Sequence, residues 1–251
     1  MNGLTWILLF SLSATAVSDV PYSGTSSQGG MSGFLFLPES EVLGEGGLRV
    51  QARLEYLSLR QGGGNSLSMP LSVTWGLSDK LELGGEVPLF LDDGIADGGV
   101  LGDVTAGCSW LYETARGGSN LILRGMLTLP TGTEGRDPGT ELDLGITTGT
   151  TFRLFKLQMS AFYFVNGGRD LFTDDVDDGL RYSAGGTSFL SEDLEVSAAL
   201  EGTTLGALSA SATVAFSALE GTTFFWTLWA GLDGAESYGI SLGAAWTGSG
   251  F

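Results

Sequence analysis

The sequence contains no histidine, and this absence removes several kinds of chemistry at once. Without His there is no Ser-His-Asp triad, no imidazole metal ligand and no imidazole proton shuttle. The single cysteine, Cys108, leaves no internal disulfide and no thiolate metal cluster. We therefore expect no metal site and no cofactor, and we expect that the protein is not an enzyme.

Charge is also scarce, and most of it is of one sign. Charged residues make up 16% of the 251 residues, against about 25% in soluble domains. The formal net charge is −18, with only 11 Lys and Arg. Nucleic-acid binding needs clustered Lys and Arg for phosphate contacts, so we expect no nucleic-acid partner.

Long hydrophobic runs are missing after the first twenty residues, although the mean hydropathy is positive at +0.21. No later run approaches the roughly 18 apolar residues of a membrane helix. Residues 1–18 have a short apolar core, Leu4 to Leu12, and an A-x-A type cleavage site at residues 14–16, which is typical of a secretory signal. We predict a signal peptide over residues 1–16.

Apolar residues recur at every second position from Leu48 onward, which is typical of strands whose two faces have different environments. Turns and glycine-rich stretches divide this pattern into twelve strands of about ten residues each. The predicted strands cover about 48–59, 67–77, 81–91, 103–113, 120–130, 140–154, 156–165, 180–190, 194–201, 207–219, 222–232 and 237–247.

One face of these strands excludes charge, and the other carries nearly all of it. The connections alternate between short turns and longer acidic loops such as 92–102, 131–139 and 166–179. Outer-membrane barrels have this layout, with short periplasmic turns and longer external loops. The charges that we assign to the lumen are Arg49, Arg53, Glu55, Glu82, Glu86, Asp103, Arg124, Glu141, Asp143, Arg153 and Arg181.

Aromatic residues on the charge-free face form two groups, as expected where rings lie at the two membrane interfaces. Trp75, Trp110, Tyr112, Trp226 and Trp246 fall near the periplasmic end, and Tyr56, Tyr163, Tyr182 and Tyr238 near the external end. A soluble double sheet would show Lys and Glu on its polar face, whereas this face is rich in Gly, Ser, Thr and Ala. We predict an all-β, antiparallel transmembrane β-barrel of about 12 strands in a Gram-negative outer membrane.

The lumen of a twelve-strand barrel is narrow. The inward residues of the last four strands are mostly small, which either opens a pore or makes room for residues 17–45 to plug it; a periplasmic position for that segment is the alternative. The barrel itself is predicted over 46–251.

Inward charges indicate either a selectivity lining or internal bracing. Large apolar inward residues indicate either a conduit for hydrophobic solutes or simple filling, and they are Phe90, Met126, Phe162, Phe164, Phe189 and Trp229.

Several short sequence motifs between residues 70 and 166 resemble those of a family of outer-membrane transporter barrels, the "MetA-pathway of phenol degradation" group. They are Gly76-Leu77-Ser78-Asp79-Lys80-Leu81-Glu82-Leu83-Gly84, Val87-Pro88-Leu89, Gly102-Asp103-Val104 and Leu129-Pro130-Thr131-Gly132. Separately, residues 31–38 and 42–46 look like the lead-in segment of several outer-membrane barrels. The order and spacing of these motifs are more specific than any single motif. The family resemblance implies passage of a solute.

The expected function is therefore an outer-membrane channel for passive passage of small solutes, with a hydrophobic solute left open. A non-transporting barrel with a structural or surface-interaction role is the alternative. The expected partners are outer-membrane lipid, lipopolysaccharide, a small-molecule solute and the barrel-insertion machinery. The last would engage the C-terminal strand, although residues 247–250 separate Trp246 from the final Phe251.

Overall fold

The computed structural model describes residues 31, 33–34, 37–59, 64–93, 101–113, 119–132, 140–166, 178–232 and 237–249. The predicted signal peptide, the central parts of the three longest loops and Phe251 lie outside these residues. The strands are β1 (Gly33–Phe34), β2 (Leu37–Pro38), β3 (Gly47–Leu59), β4 (Asn65–Ser78), β5 (Leu81–Asp93), β6 (Val104–Glu113), β7 (Ser119–Leu129), β8 (Glu141–Phe152), β9 (Phe155–Asn166), β10 (Gly179–Phe189), β11 (Leu194–Thr203), β12 (Leu208–Leu219), β13 (Thr222–Gly231) and β14 (Ser237–Ser249).

Strands β3 to β14 form a closed antiparallel barrel within the described residues, and β1 and β2 pair only with each other. Each barrel strand pairs with its neighbours in the chain, and β14 closes the barrel on β3 from Ser237↔Leu59 to Ser249↔Gly47. Closure leaves no unpaired sheet edge, which a sheet in lipid requires. The predicted fold class and the number of twelve strands are confirmed.

The outward face of the barrel is apolar and exposed, and the inward face is polar and buried. Met159 is 55% exposed and Leu228 59%, whereas Arg49 and Thr147 are fully buried. No helix among the described residues has the length and apolar character needed to cross a membrane.

The aromatic residues predicted for the membrane interfaces lie on the outward face. Trp75, Trp110, Tyr112, Tyr163, Tyr182, Trp226, Tyr238 and Trp246 are each between 45% and 51% exposed. Trp110 and Tyr112 also contact each other edge to face, with ring centroids 6.0 Å apart. Tyr56 is half-buried, and its register partner Ile240 is exposed on the outward face.

The connections differ in length between the two ends of the barrel. At one end they have two to five residues, as between Ser78 and Leu81, and at the other they reach twelve residues between Asn166 and Gly179. By the rule for outer-membrane barrels the first end faces the periplasm and the second faces outward. We call them the periplasmic and external ends.

One predicted strand boundary is corrected. Strand β8 ends at Phe152, because Arg153 and Leu154 form the exposed turn into β9. Arg153 adopts a left-handed backbone conformation there, with φ of 52°. Arg153 therefore lies in a periplasmic turn and not in the lumen lining.

Candidate functional site in the barrel lumen

The segment before the barrel lies inside its periplasmic half. Glu39 and Ser40 are only 2% and 1% exposed. The Nζ atom of Lys156, at the periplasmic start of β9, forms an ion pair with Oε1 of Glu39 and a second one with Oε1 of Glu41 at 3.2 Å. Because Lys156 and Glu39 are 1% and 2% exposed, their ion pair is sheltered from bulk water, whereas the Glu41 side chain is 30% exposed.

Three further wall residues hold the same segment through hydrogen bonds. Gln158 Nε2 donates to the Pro38 carbonyl at 3.2 Å and to Glu39 Oε1 at 3.1 Å. Arg124 on β7 donates from Nη2 to the Glu39 carbonyl. Glu82 on β5 accepts the Leu43 amide on Oε2 at 2.8 Å. Contacts from β5, β7 and β9 thus surround residues 38–43, which we call the lumen segment.

The electrostatics of Glu41 depend on its burial and on the charges of Lys156 and Glu39. Glu41 lies outside the membrane-spanning strands and is partly exposed. Burial raises the pKa of Glu41, Lys156 lowers it and the Glu39 carboxylate raises it, with a net upward shift. A proton is therefore bound more readily by Glu41 in the inserted segment than in a free one.

Glycine allows the lumen segment to approach the wall. A Cβ at Gly149 would overlap the Ser40 hydroxyl, and a Cβ at Gly76 would overlap the backbone carbonyls of Leu43 and Gly44. Gly76 also accepts the amide of Gly46 at 2.9 Å. These two inward positions have room for the segment only because they carry no side chain.

Replacing Gly76 by Ala should displace the lumen segment from the wall, because backbone atoms of Leu43 and Gly44 occupy the space of the added methyl group. Overpacking of this kind costs about 1–3 kcal/mol, so exchange of the Leu43 amide should accelerate by about fivefold to 150-fold. Hydrogen–deuterium exchange measures this rate. Gly85→Ala is the control, since the nearest atom to a Cβ there is 3.7 Å away. Equal exchange at Leu43 in both variants would contradict the prediction.

Two charged clusters lie nearer the external end. The first is centred on Arg53 of β3. Its Nη1 and Nη2 donate to the two carboxylate oxygens of Glu86 at 2.9 and 2.8 Å, and its Nε donates to Glu55 Oε1 at 2.5 Å. Arg53 is 3% exposed. A forked pair of this geometry fixes both side chains against the wall.

The second cluster is centred on Arg181 of β10. Its Nη2 and Nη1 lie 3.3 Å from Glu141 and from Asp143, and its Nε lies 3.8 Å from Glu201. The guanidinium also lies over the Phe164 ring, 5.4 Å from its centroid. One arginine is therefore surrounded by three carboxylates.

A cavity of about 480 Å³ lies between these clusters. Its lining comes from the external ends of strands, as with Phe90 at the end of β5 and Trp229 at the end of β13, and Met126 of β7 adds a third large apolar side chain. Both arginines line the cavity, together with Glu55, Glu86, Glu141 and Asp143. Among the described residues, the lumen segment thus lies in the periplasmic half of the lumen, and the cavity lies nearer the external end.

The other predicted lining residues have separate places. Arg49 donates from Nε to Thr247 on the adjacent strand at 3.2 Å. Asp103 precedes β6 and accepts the Gly132 amide at 2.7 Å, so it braces two external connections. Phe162, Phe164 and Phe189 are 2–4% exposed and pack inside the barrel.

Of the residues that hold the lumen segment, the sequence-based inventory of site residues included Arg124 and Glu82 but lacked Lys156 and Gln158. It also lacked Glu39 and Ser40 within the segment itself. One signal pointed to them: Lys80 and Lys156 are the two lysines of the chain, and of these only Lys156 falls within a strand, on the inward phase. Its partners were not apparent, because 117 residues separate Lys156 from Glu39.

Metal binding has no support within the described residues, where no group of three or more His, Cys, Asp or Glu side chains is arranged to hold a metal ion. Cys108 is exposed on the outward face of β6, opposite Leu83, as its apolar phase predicts.

These observations define the class of the protein: a closed twelve-strand barrel of the outer-membrane type, with an apolar outer surface and a polar lumen. Solved structures with this fold include the COG4313 outer membrane channel from Pseudomonas putida F1, with a TM-score of 0.69, 13% identity and coverage of 84% of this chain and 98% of that one. The fold and the apolar surface place the protein in an outer membrane.

Two porins have the same fold at lower similarity. The KdgM porin in complex with disordered oligogalacturonate matches with a TM-score of 0.61 and 8% identity, over 79% of this chain and 98% of that one. The NanC porin matches with a TM-score of 0.61 and 11% identity, over 78% and 98%.

An enzyme also has a related fold: the outer membrane phospholipase A from Escherichia coli, with a TM-score of 0.51 and 9% identity over 79% of this chain and 89% of that one. The more similar folds are those of channels and porins. No family model matches the chain, and no curated protein does. The resemblance to the phenol-degradation family therefore stays a prediction.

Proposed function

We propose that the protein is an outer-membrane channel for passive passage of small solutes with apolar parts, and that the lumen segment closes its periplasmic half. The observation that carries this proposal is the cavity of about 480 Å³ inside a closed barrel whose periplasmic half contains a segment held by side-chain contacts. A barrel that served only as a brace would gain stability from side chains filling this space.

The lining of the cavity supports solutes with apolar parts. Phe90, Met126 and Trp229 all face the cavity. Ligand sites usually combine such apolar walls with a few polar groups that fix orientation. The channel folds of the similar structures agree with this proposal, although their identities of 8–13% concern the fold alone.

Closure by the lumen segment rests on the character of its contacts. They are mostly polar and ionic, through Lys156, Gln158, Arg124 and Glu82, and they link residues far apart in the chain. A segment held in this way can be released without unfolding the barrel, whose strands pair with one another independently of it. We therefore assign the lumen segment, residues 38–43, the role of a gate.

Single-channel recording in planar bilayers tests the proposal. The refolded protein without its signal peptide should show discrete openings, whereas bilayers with the heat-unfolded protein should show none. Uptake of a small neutral solute by liposomes that carry the protein is a second measurement. Absence of both conductance and uptake would favour the non-transporting barrel.

A further inference from the structure

The two charged clusters at the external end have no cationic group left for an anion. All three nitrogens of Arg53 already face Glu55 or Glu86. All three nitrogens of Arg181 face Glu141, Asp143 or Glu201. With carboxylates ionised, the first cluster carries one net negative charge and the second carries two.

The clusters face each other across the lumen. Around the twelve-strand barrel, β3 lies five strands from β8 in one direction and five strands from β10 in the other. Arg53 and Glu55 are on β3, while Asp143 and Arg181 are on β8 and β10. With the lining carboxylates Glu55, Glu86, Glu141 and Asp143 ionised, the cavity between the two arginines therefore has net negative charge on two opposite walls.

Asp143 adds an unsatisfied acceptor to this arrangement. Its side chain lines the cavity and the residue is 4% exposed. One carboxylate oxygen, Oδ2, accepts from Arg181 at 3.3 Å, whereas Oδ1 has no hydrogen-bond donor among the described residues. A buried carboxylate oxygen without a donor is costly, and a positive charge in the cavity would offset part of that cost.

Large apolar side chains lie on the two remaining sides of the cavity, together with serine and threonine. Trp229 on β13 lies between β3 and β10, and Phe90 and Met126 on β5 and β7 lie between β3 and β8. A ligand whose ammonium group lies near the carboxylates can thus pack its hydrocarbon part against Trp229 or Phe90. Aromatic faces also attract cations directly.

The external connections also carry a net negative charge, like the walls of the cavity. The stretches 60–64, 94–103, 130–140, 167–178, 204–207 and 232–236 together hold eleven Asp and Glu against three Arg. An acidic entrance raises the local concentration of cations and lowers that of anions.

We propose that the external cavity is a binding site for small organic cations with an apolar body, such as aryl-alkyl ammonium ions. This names the solute class for the proposed channel and rests on that function for its biological role, but the binding itself is measurable without transport. Neutral solutes of the same shape should bind more weakly, and carboxylates more weakly still.

Isothermal titration calorimetry on the refolded protein in detergent tests the site with three ligands of matched shape: 2-phenylethylammonium, 2-phenylethanol and phenylacetate. The ammonium ion should bind at least about tenfold more tightly than phenylacetate, given net negative charge on two walls. Glu141→Gln with Glu201→Gln should reduce this preference severalfold. Glu220→Gln, an exposed change in the turn between β12 and β13, is the matched control and should leave it unchanged.

Equal or reversed affinity for ammonium and carboxylate in the unaltered protein would overturn the proposal, whatever the variants do. So would a preference that persists in a double variant whose barrel still shows heat-modifiable migration on a gel. Ammonium binding without conductance or solute uptake would support the binding site and refute the channel. Conductance without selective binding would support the channel and refute the cation-binding site.

Discussion

Replacing Lys156 by Met should release the lumen segment and raise the open probability of the channel. Lys156 is the cation to which both Glu39 and Glu41 are paired, and its removal leaves the carboxylate of Glu39 buried without that partner. Breaking a buried ion pair on one side costs about 3–5 kcal/mol, which shifts the ratio of inserted to released segment by about a hundredfold or more. Single-channel recording in planar bilayers measures the change.

Lys80→Met is the matched control, because Lys80 is the other lysine of the chain and lies exposed in the turn between β4 and β5. A second variant separates loss of the pair from loss of the lysine. Lys156→Met combined with Glu39→Gln removes both charges and should restore part of the closure, as paired removal of buried charges commonly does. Unchanged open probability in Lys156→Met would refute the gate role of the segment.

Replacing Met159 by Arg should destabilise the barrel by about 2–4 kcal/mol, the cost of an arginine on the lipid face at the midplane. Met159 is 55% exposed on the outward face of β9, midway between Phe155 at the periplasmic end and Tyr163 at the external end. Denaturant titration of the protein refolded into lipid vesicles measures the free energy of unfolding.

Leu154→Arg provides the comparison, because Leu154 is 62% exposed but lies in the turn between β8 and β9, outside the strands. Its cost should be within about 1 kcal/mol, as at a membrane interface. Similar losses in both variants would mean that the outward face of β9 does not meet lipid at Met159. A barrel in solution would show this result, since its outer surface would be wet at both positions.

The predicted lumen charges show which features of the lumen the sequence alone could predict. The period of two placed Arg53, Glu86, Asp143 and Arg181 on the inward face, because side chains alternate strictly along a strand. It did not show that each arginine forms ion pairs with its own set of carboxylates on one wall of the lumen. The same period placed Arg153 in the lumen, since it contains no information about where a turn begins.

The closed barrel, its twelve strands and the identity of its two faces were determined by the sequence itself. These features follow from local alternation and from the demand of lipid for an apolar surface and fully paired backbone. The lumen segment on Lys156 and the cavity between the two charged clusters were decided only by the tertiary structure. They depend on strand register and barrel closure, which bring together residues such as Glu39 and Lys156 that lie 117 positions apart. The absence of histidine excluded imidazole-based catalysis and metal binding, whereas the proposed cation site could be argued only from the three-dimensional arrangement of the carboxylates.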